Sequence, residues 1–184
     1  MKIDAAQVVD ATREWLEKAV IGLRLCPFAE RAYAQDQIRY RVSVQESAAG
    51  LSQELAEELE HLHAADPLQL ETSLLIHPRA LGNFDDYNQF LDEADATVAA
   101  LGLEGEIQVA SFHPAYRFAG TAPNAVENYT NRSPYPMLHL LREASVTRAV
   151  ESFNGVHEIG ANNIATLNAL GEAGWRRLWE PKQR

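Results

Sequence analysis

Cysteine is nearly missing from this chain of 184 residues, where Cys26 stands alone. That excludes an intrachain disulfide and any paired-cysteine redox or zinc-ribbon motif. Positive charge is also scarce: 16 Lys and Arg face 26 Asp and Glu, for a formal net charge of −10. The field of the whole molecule repels phosphate backbones, and no Lys/Arg-rich run reverses it locally, so nucleic acid is not an expected partner. No stretch approaches the ~20 apolar residues of a membrane span, and the opening MKIDAAQVVDATREW lacks the apolar core of a signal peptide. A soluble, cytoplasmic protein with no membrane partner is expected. HExxH, Walker and Rossmann patterns do not occur, and the sequence names no cofactor. Low-complexity linkers are absent too, and with 46% hydrophobic residues the chain reads as one domain over residues 1–184.

What is present is a regular alternation of helical and strand patterns. Asp4 caps a first helix running to about Leu25, with Val8, Thr12, Trp15, Ala19 and Leu23 inward. Pro27 stops that ladder and suits the first position of a short helix, PFAERAYA, which places Cys26 at its N-cap. A thiol there leans towards thiolate, whereas a thiol buried beside Pro27 is inert. From Ile38 to Val44 apolar residues alternate with Arg39, Arg41 and Ser43, the period of an edge strand with one face in water. A helix over about Ala48 to His63 turns Leu51, Leu55, Leu59 and Leu62 inward and leaves Glu54, Glu57, Glu58 and Glu60 to solvent. Thr72 to Ile76 is a continuous apolar run, suited to a central strand.

Asn83 caps the next helix, with Asp85 and Asp86 in its first turn, and Gly102 ends it. Ile107 to Phe112 is a third strand. After a long loop, Ser133-Pro134 reads as the cap and first position of a fourth helix carrying Met137, Leu138 and Leu141. A last helix opens at Asn162 or Asn163 and ends at Gly171 or Gly174, and Trp175 and Trp179 pack behind it. These elements predict an α/β fold: a small sheet of three or four mostly parallel strands with helices packed on it. The open Arg39 and Arg41 face admits a ferredoxin-like α+β two-layer sandwich as the alternative.

Two strands end alike, in SLLIHP and VASFHP, and their histidines are separated by the length of one βαβ unit. If the strands are parallel neighbours, His77 and His113 stand side by side at their carboxyl ends, where open α/β sheets bind ligands. The loop with Tyr116, Arg117, Thr121, Asn128, Asn131 and Arg132 leaves from the same edge. Polar and aromatic loops of this length are uncommon unless they are functional. A His before Pro also has a plain role, satisfying a backbone carbonyl, and the two readings stand level. Thr121, after Ala119-Gly120, offers a hydroxyl and a turn amide to an anion. No metal is expected; His77, His113 and His139 would converge on zinc only if the fourth helix began over the sheet end. His139 otherwise bonds within its own helix, beside Arg142 and Glu143.

Three strings, GLRLCPFA (Gly22 to Ala29), IQVASFHPAYRFAGT (Ile107 to Thr121) and ENYTNRSPYPMLHLLREASV (Glu127 to Val146), give the chain a likeness to a known family. It resembles, over nearly its whole length, the bacterial domain-of-unknown-function family 1415. The resemblance implies no assigned reaction. It does imply that Cys26, Pro27, His113, Tyr116, Asn128, Asn131, Arg132, Ser133, Pro134, Pro136, His139, Arg142 and Glu143 belong to the family signature. Ala115 and Ala161 stand where polar residues are expected in relatives.

Two functions compete. One is a small-molecule enzyme of hydrolase or transferase type, its site at the carboxyl ends of the strands, built from the loop and helix start over 113–143. Cys26 is then the nucleophile, His113 the general base with His77 beside it, and Asn131 or Arg132 the holder of a carboxylate or phosphate. The other is a non-catalytic module that binds a metabolite or peptide between Tyr116, Phe118, Tyr129 and Tyr135. Both use Thr121, Asn128, His139, Arg142 and Glu143 as ligand contacts, and both take a small-molecule partner. A purely structural role would leave the melting temperature unmoved by any ligand.

Overall fold

The computed structural model describes residues 3–152 and 159–179. Helix α1 (Ala5–Trp15) starts where Asp4 accepts from the amides of Ala6 and Gln7, and it buries Val8, Thr12 and Trp15. Over Leu16–Ile21 it widens into a π-helical turn, and Arg24, with a positive φ of 56°, then reverses the chain. Helix α2 (Ala29–Ala34) begins later than expected, with Phe28 rather than Cys26 at the cap position. Next come β1 (Ile38–Val42), α3 (Ala48–Ala64), β2 (Thr72–Ile76), α4 (Phe84–Ala100) and β3 (Ile107–Phe112). The loop holds a 3-10 turn at Val126–Asn131, and β4 (Met137–Arg142), α5 (Glu143–Ser152) and α6 (Ile159–Trp179) follow.

The element expected as a fourth helix after the loop is thus a strand. Pro136 pushes Tyr135 out of the helical region, and Pro134 and Pro136 together hold the entry extended. Ser133, the expected cap, donates its hydroxyl to Tyr135 O at 2.7 Å. The run that follows is apolar enough to be covered on both sides, and Met137, Leu138, Leu140 and Leu141 are buried. Helix α5 starts only at Glu143. In α6 Gly171 adopts φ 64° and ψ 171°, which divides the helix in two where a stop was expected. Trp175 is buried behind it; the Trp179 side chain and residues 180–184 lie outside the described residues.

The sheet has four strands in the order β1-β2-β4-β3. β1 pairs with β2 in parallel, and β4 runs antiparallel to both β2 and β3. Three strands therefore point the same way, but the sheet is mixed and only one of its pairings is parallel. Alternation along the strands divides the core. Leu75, Leu138, Leu140 and Ile107 pack with α3 and α4. Leu74, Ile76 and Met137 pack with α1, the π-turn, the 3-10 turn and α6. Helices cover both faces, so the architecture has three layers and the two-layer alternative does not apply.

The Arg39 and Arg41 face is likewise not bare, since α3 packs against it. Arg39 Nε lies 2.8 Å from Glu58 and Arg41 Nη2 lies 3.7 Å from Glu54. Both glutamates are buried against the sheet, and Ser73 donates its hydroxyl to Glu58. Helical periodicity assigned them to solvent because it cannot see a basic strand face across the interface.

Candidate functional site

His77 and His113 end strands that point the same way, but β4 lies between those strands, so the two are not backbone neighbours. Their main chains are tied to the loop instead: His77 N donates to Pro136 O at 3.0 Å and His113 N to Asn131 O at 3.1 Å. The rings meet on α4, where Tyr87 stacks on His77 with centroids 5.8 Å apart and tilts against His113 at 5.0 Å. The Tyr87 hydroxyl accepts from Phe112 N at 3.0 Å and donates to Met137 O at 2.9 Å, which fixes the adjoining ends of β3 and β4.

The partners of each ring set its tautomer. His113 Nε2 sits 3.2 Å from Leu81 O and so carries the hydrogen, while Nδ1 accepts from Ala115 N at 3.0 Å. Both nitrogens are spent on main chain, and burial holds the imidazole below its ordinary pKa. His77 Nδ1 donates to Ala80 O at 3.0 Å, which leaves Nε2 bare, buried and without a partner. Burial, with His113 nearby as a lesser cause, pushes its pKa down to about 4. Near neutrality both rings are uncharged.

Asn128 locks the loop. Fully buried, it accepts from Phe118 N at 3.0 Å and lies 2.7 Å from the Thr121 hydroxyl, while its amide donates to Ala122 O at 2.8 Å. The Thr121 hydroxyl also lies 2.8 Å from Phe118 O, so it closes the turn rather than facing solvent. Asn131 donates to Ser111 O at 2.9 Å and holds the loop to β3. Tyr116 meets Ser111 through its hydroxyl at 3.2 Å and packs edge-on against Phe84 and Phe118.

Arg132 and Arg117 face open space. Arg132 lies over the Tyr129 ring at 4.5 Å, which is itself stacked on Trp175 at 5.3 Å. One of its terminal nitrogens donates to Pro123 O, while Nε is buried with no acceptor. A cavity of 370 Å³ is lined by Arg132, Arg117 and the start of α4, from Gly82 to Asp85. A second cavity of 370 Å³ lies against Phe84, Asn88, Phe118 and Thr121 and shares Arg117 and Asp85. The pair Arg117–Asp85, 3.4 Å apart, stands at the border of the two. Asn83 occupies the amides of Asp85 and Asp86, so the cationic groups of this groove are the guanidinium groups.

Other expected members are elsewhere. His139 points to the opposite face from His77 and His113, between Phe28 at 6.5 Å and Phe112 at 6.1 Å. Its Nε2 lies 2.8 Å from Thr72 Oγ1, whose hydrogen goes to Leu140 O, so Nε2 is the donor. Burial brings its pKa down to about 4. It is a strand residue bonded across the sheet, not a helical one bonded to Glu143. The three histidines do not converge, and among the described residues no group of three His, Cys, Asp or Glu side chains is placed to hold a metal.

Cys26 packs in the cluster of α1 and α6, across the sheet from His113. Amides of Phe28 and Ala29 lower its pKa, but burial outweighs them and the thiol is pushed up. Arg142 and Glu143 stand at the far end of β4, away from the loop. Arg142 donates to Leu62 O, Ala65 O and Leu70 O and so closes the C-terminus of α3. Glu143 N donates to Glu106 O at 2.9 Å. With α5 starting there, no helical amides point back at the loop.

Tyr87, Asn83 and Asp85 were missed as site residues. The signal existed: a helix that follows a strand begins at that strand's carboxyl end, so the start of α4 shares an edge with His77. Among the described residues no helix is long and apolar enough to cross a membrane. Residues 7–177 match the model of the family described as protein of unknown function (DUF1415), and the chain belongs to that family. No curated protein matches, and no solved structure matches.

Proposed function

We propose that this member of the DUF1415 family is a binding module for a small anionic metabolite, a carboxylate or a phosphate ester, held in the groove between the start of α4 and the loop. One observation carries it: two guanidinium groups line a cavity in which, among the described residues, a single ion pair, to Asp85, answers them, and Arg132 Nε has no acceptor. Nε itself is closed off, so the ligand's oxygens meet the outer nitrogens of the two guanidinium groups, in charge-assisted bonds worth about 1.5–3 kcal/mol each. Phe84 and Phe118 supply an apolar wall in the adjoining cavity, so the ligand has an anionic head and an apolar body. Arg132 is preorganised by its position over Tyr129, and that limits the entropy lost on binding.

The test is a thermal-shift screen of carboxylates and phosphorylated metabolites, followed by calorimetric titration of any hit. Arg132→Ala and Arg117→Ala are each expected to weaken binding by roughly tenfold or more, the loss of one charge-assisted bond. A hit that binds both variants as well as it binds the parent chain would remove the groove from consideration.

A hydrolase or transferase is the second reading, favoured by the bare Nε2 of His77 at the same end of the sheet. Cys26, the nucleophile expected for it, lies across the sheet. Unchanged turnover of acyl and phosphoryl substrates by Cys26→Ser would remove the thiol from that scheme.

A further inference from the structure

Strand β1 is an outer strand of the sheet, at the opposite edge from the loop groove. Gln37 O accepts from Glu71 N at 3.0 Å and Thr72 N at 3.3 Å, and Ser43 N donates to Ile76 O at 2.7 Å. Main-chain groups of successive strand residues alternate in direction, so residues 37, 39, 41 and 43 turn theirs towards β2. Ile38, Tyr40 and Val42 turn theirs outward, and none of these outward groups has a hydrogen-bond partner among the described residues. Such an edge is a template for a further strand.

The surroundings of the edge select what that strand is. A groove of 580 Å³ runs between β1 and α1, with Val9, Tyr40 and Val42 as apolar lining and Arg13, Arg39 and Arg41 around it, against one carboxylate, Asp10. The Tyr40 hydroxyl is buried there without a partner. Arg39 and Arg41 touch Glu58 and Glu54, yet their side chains keep 39% and 43% of their exposure. Arg13 lies 4.8 Å over the Tyr40 ring and makes no ion pair among the described residues. Three cations thus gather at one edge of a chain whose net charge is −10.

We infer that β1 receives an extended acidic peptide segment of a partner protein as a fifth strand. Its main chain bonds to Ile38, Tyr40 and Val42 in the manner of strand addition. Alternate side chains then differ in kind: carboxylates face Arg39 and Arg41 on one side, and apolar groups enter the groove beside Tyr40 and Val9 on the other. A carboxylate at the groove mouth reaches Arg13. A second copy of this chain fits poorly. Antiparallel self-pairing centred on Tyr40 sets Arg39 of one copy opposite Arg41 of the other, and like charges directly opposite are destabilising.

The test uses the full chain and a labelled peptide of alternating Glu and Val, with a Lys/Val peptide and a Glu/Val peptide N-methylated at alternate amides as controls. The Glu/Val peptide binds, slows hydrogen exchange at the amides of Ile38, Tyr40 and Val42, and is released by high salt. Arg13→Glu, an exposed change, and N-methylation each weaken it by at least roughly tenfold, and the Lys/Val peptide does not bind. Failure of the Glu/Val peptide to bind, equal binding of the N-methylated form, or no protection of those three amides overturns the inference. So does a concentration-dependent dimer in sedimentation that Val42→Pro makes monomeric, since that assigns the edge to a second copy.

Discussion

Two neutral imidazoles set the acid limit of this fold. His77 and His139 both have pKa values pushed down to about 4 by burial. In the unfolded chain each titrates near its ordinary value, so on acidification the unfolded state takes up protons first. Their contribution is complete above about pH 6.5 and is lost progressively as pH falls towards 4, on the order of 3 kcal/mol for buried His77. Urea unfolding across that window is expected to show falling stability above the pH at which carboxylates titrate, and His77→Gln with His139→Gln should flatten the decline. An unchanged slope in the double variant would mean that the imidazoles are charged in the fold. At this scale the sequence showed the polar residues of the loop but not their bonding. Asn128, Asn131 and Thr121 were legible as a polar cluster in one loop, yet they bond one another and the main chain, a closure that single-residue chemistry cannot reveal. Arg132 was expected to hold an anion, and the structure gives its place, on the lining of the groove.

At the scale of elements, α4 is what assembles the loop edge. Its Tyr87 joins β3 to β4 and carries both histidines on its ring. Tyr87→Phe keeps the ring and removes both hydrogen bonds of the hydroxyl, to Phe112 N and Met137 O of one cross-strand pair. A loss of about 2 kcal/mol is expected in urea unfolding, since one orphaned buried group costs about 1–3 kcal/mol. Hydrogen exchange at Phe112 should quicken as well. A stability change within a few tenths of a kcal/mol would show that water replaces the hydroxyl there. The helices α3 and α4 were legible because each has one apolar stripe, and α4 has a cap at Asn83 as well. β4 was not, because its apolar run fits a helix or a strand equally and the deciding feature is the pair of prolines before it. That one change moved His139 across the sheet and Arg142 and Glu143 to its far end.

For the whole molecule, the α/β class and three of the four strands followed from the alternation of patterns, but the fourth strand and the strand order did not. Nothing local in Met137–Arg142 says that it lies between β2 and β3, an arrangement fixed only when both neighbours are present. That insertion has a consequence during synthesis on the ribosome. Until β4 emerges, the nascent chain holds β1 and β2 as a two-stranded ribbon and β3 as a lone strand, both with unpaired inner edges. The last-made strand is the keystone, and pairing it with Thr72–Ile76 closes a long loop, a slow kind of step. A chain ended after Asn131 is expected to unfold without a cooperative transition and to bind a hydrophobic dye. A sharp melting curve from that fragment would show that the first three strands hold together without the fourth. A cell making this protein would thus have most of the polypeptide in hand before any of it could withstand a protease.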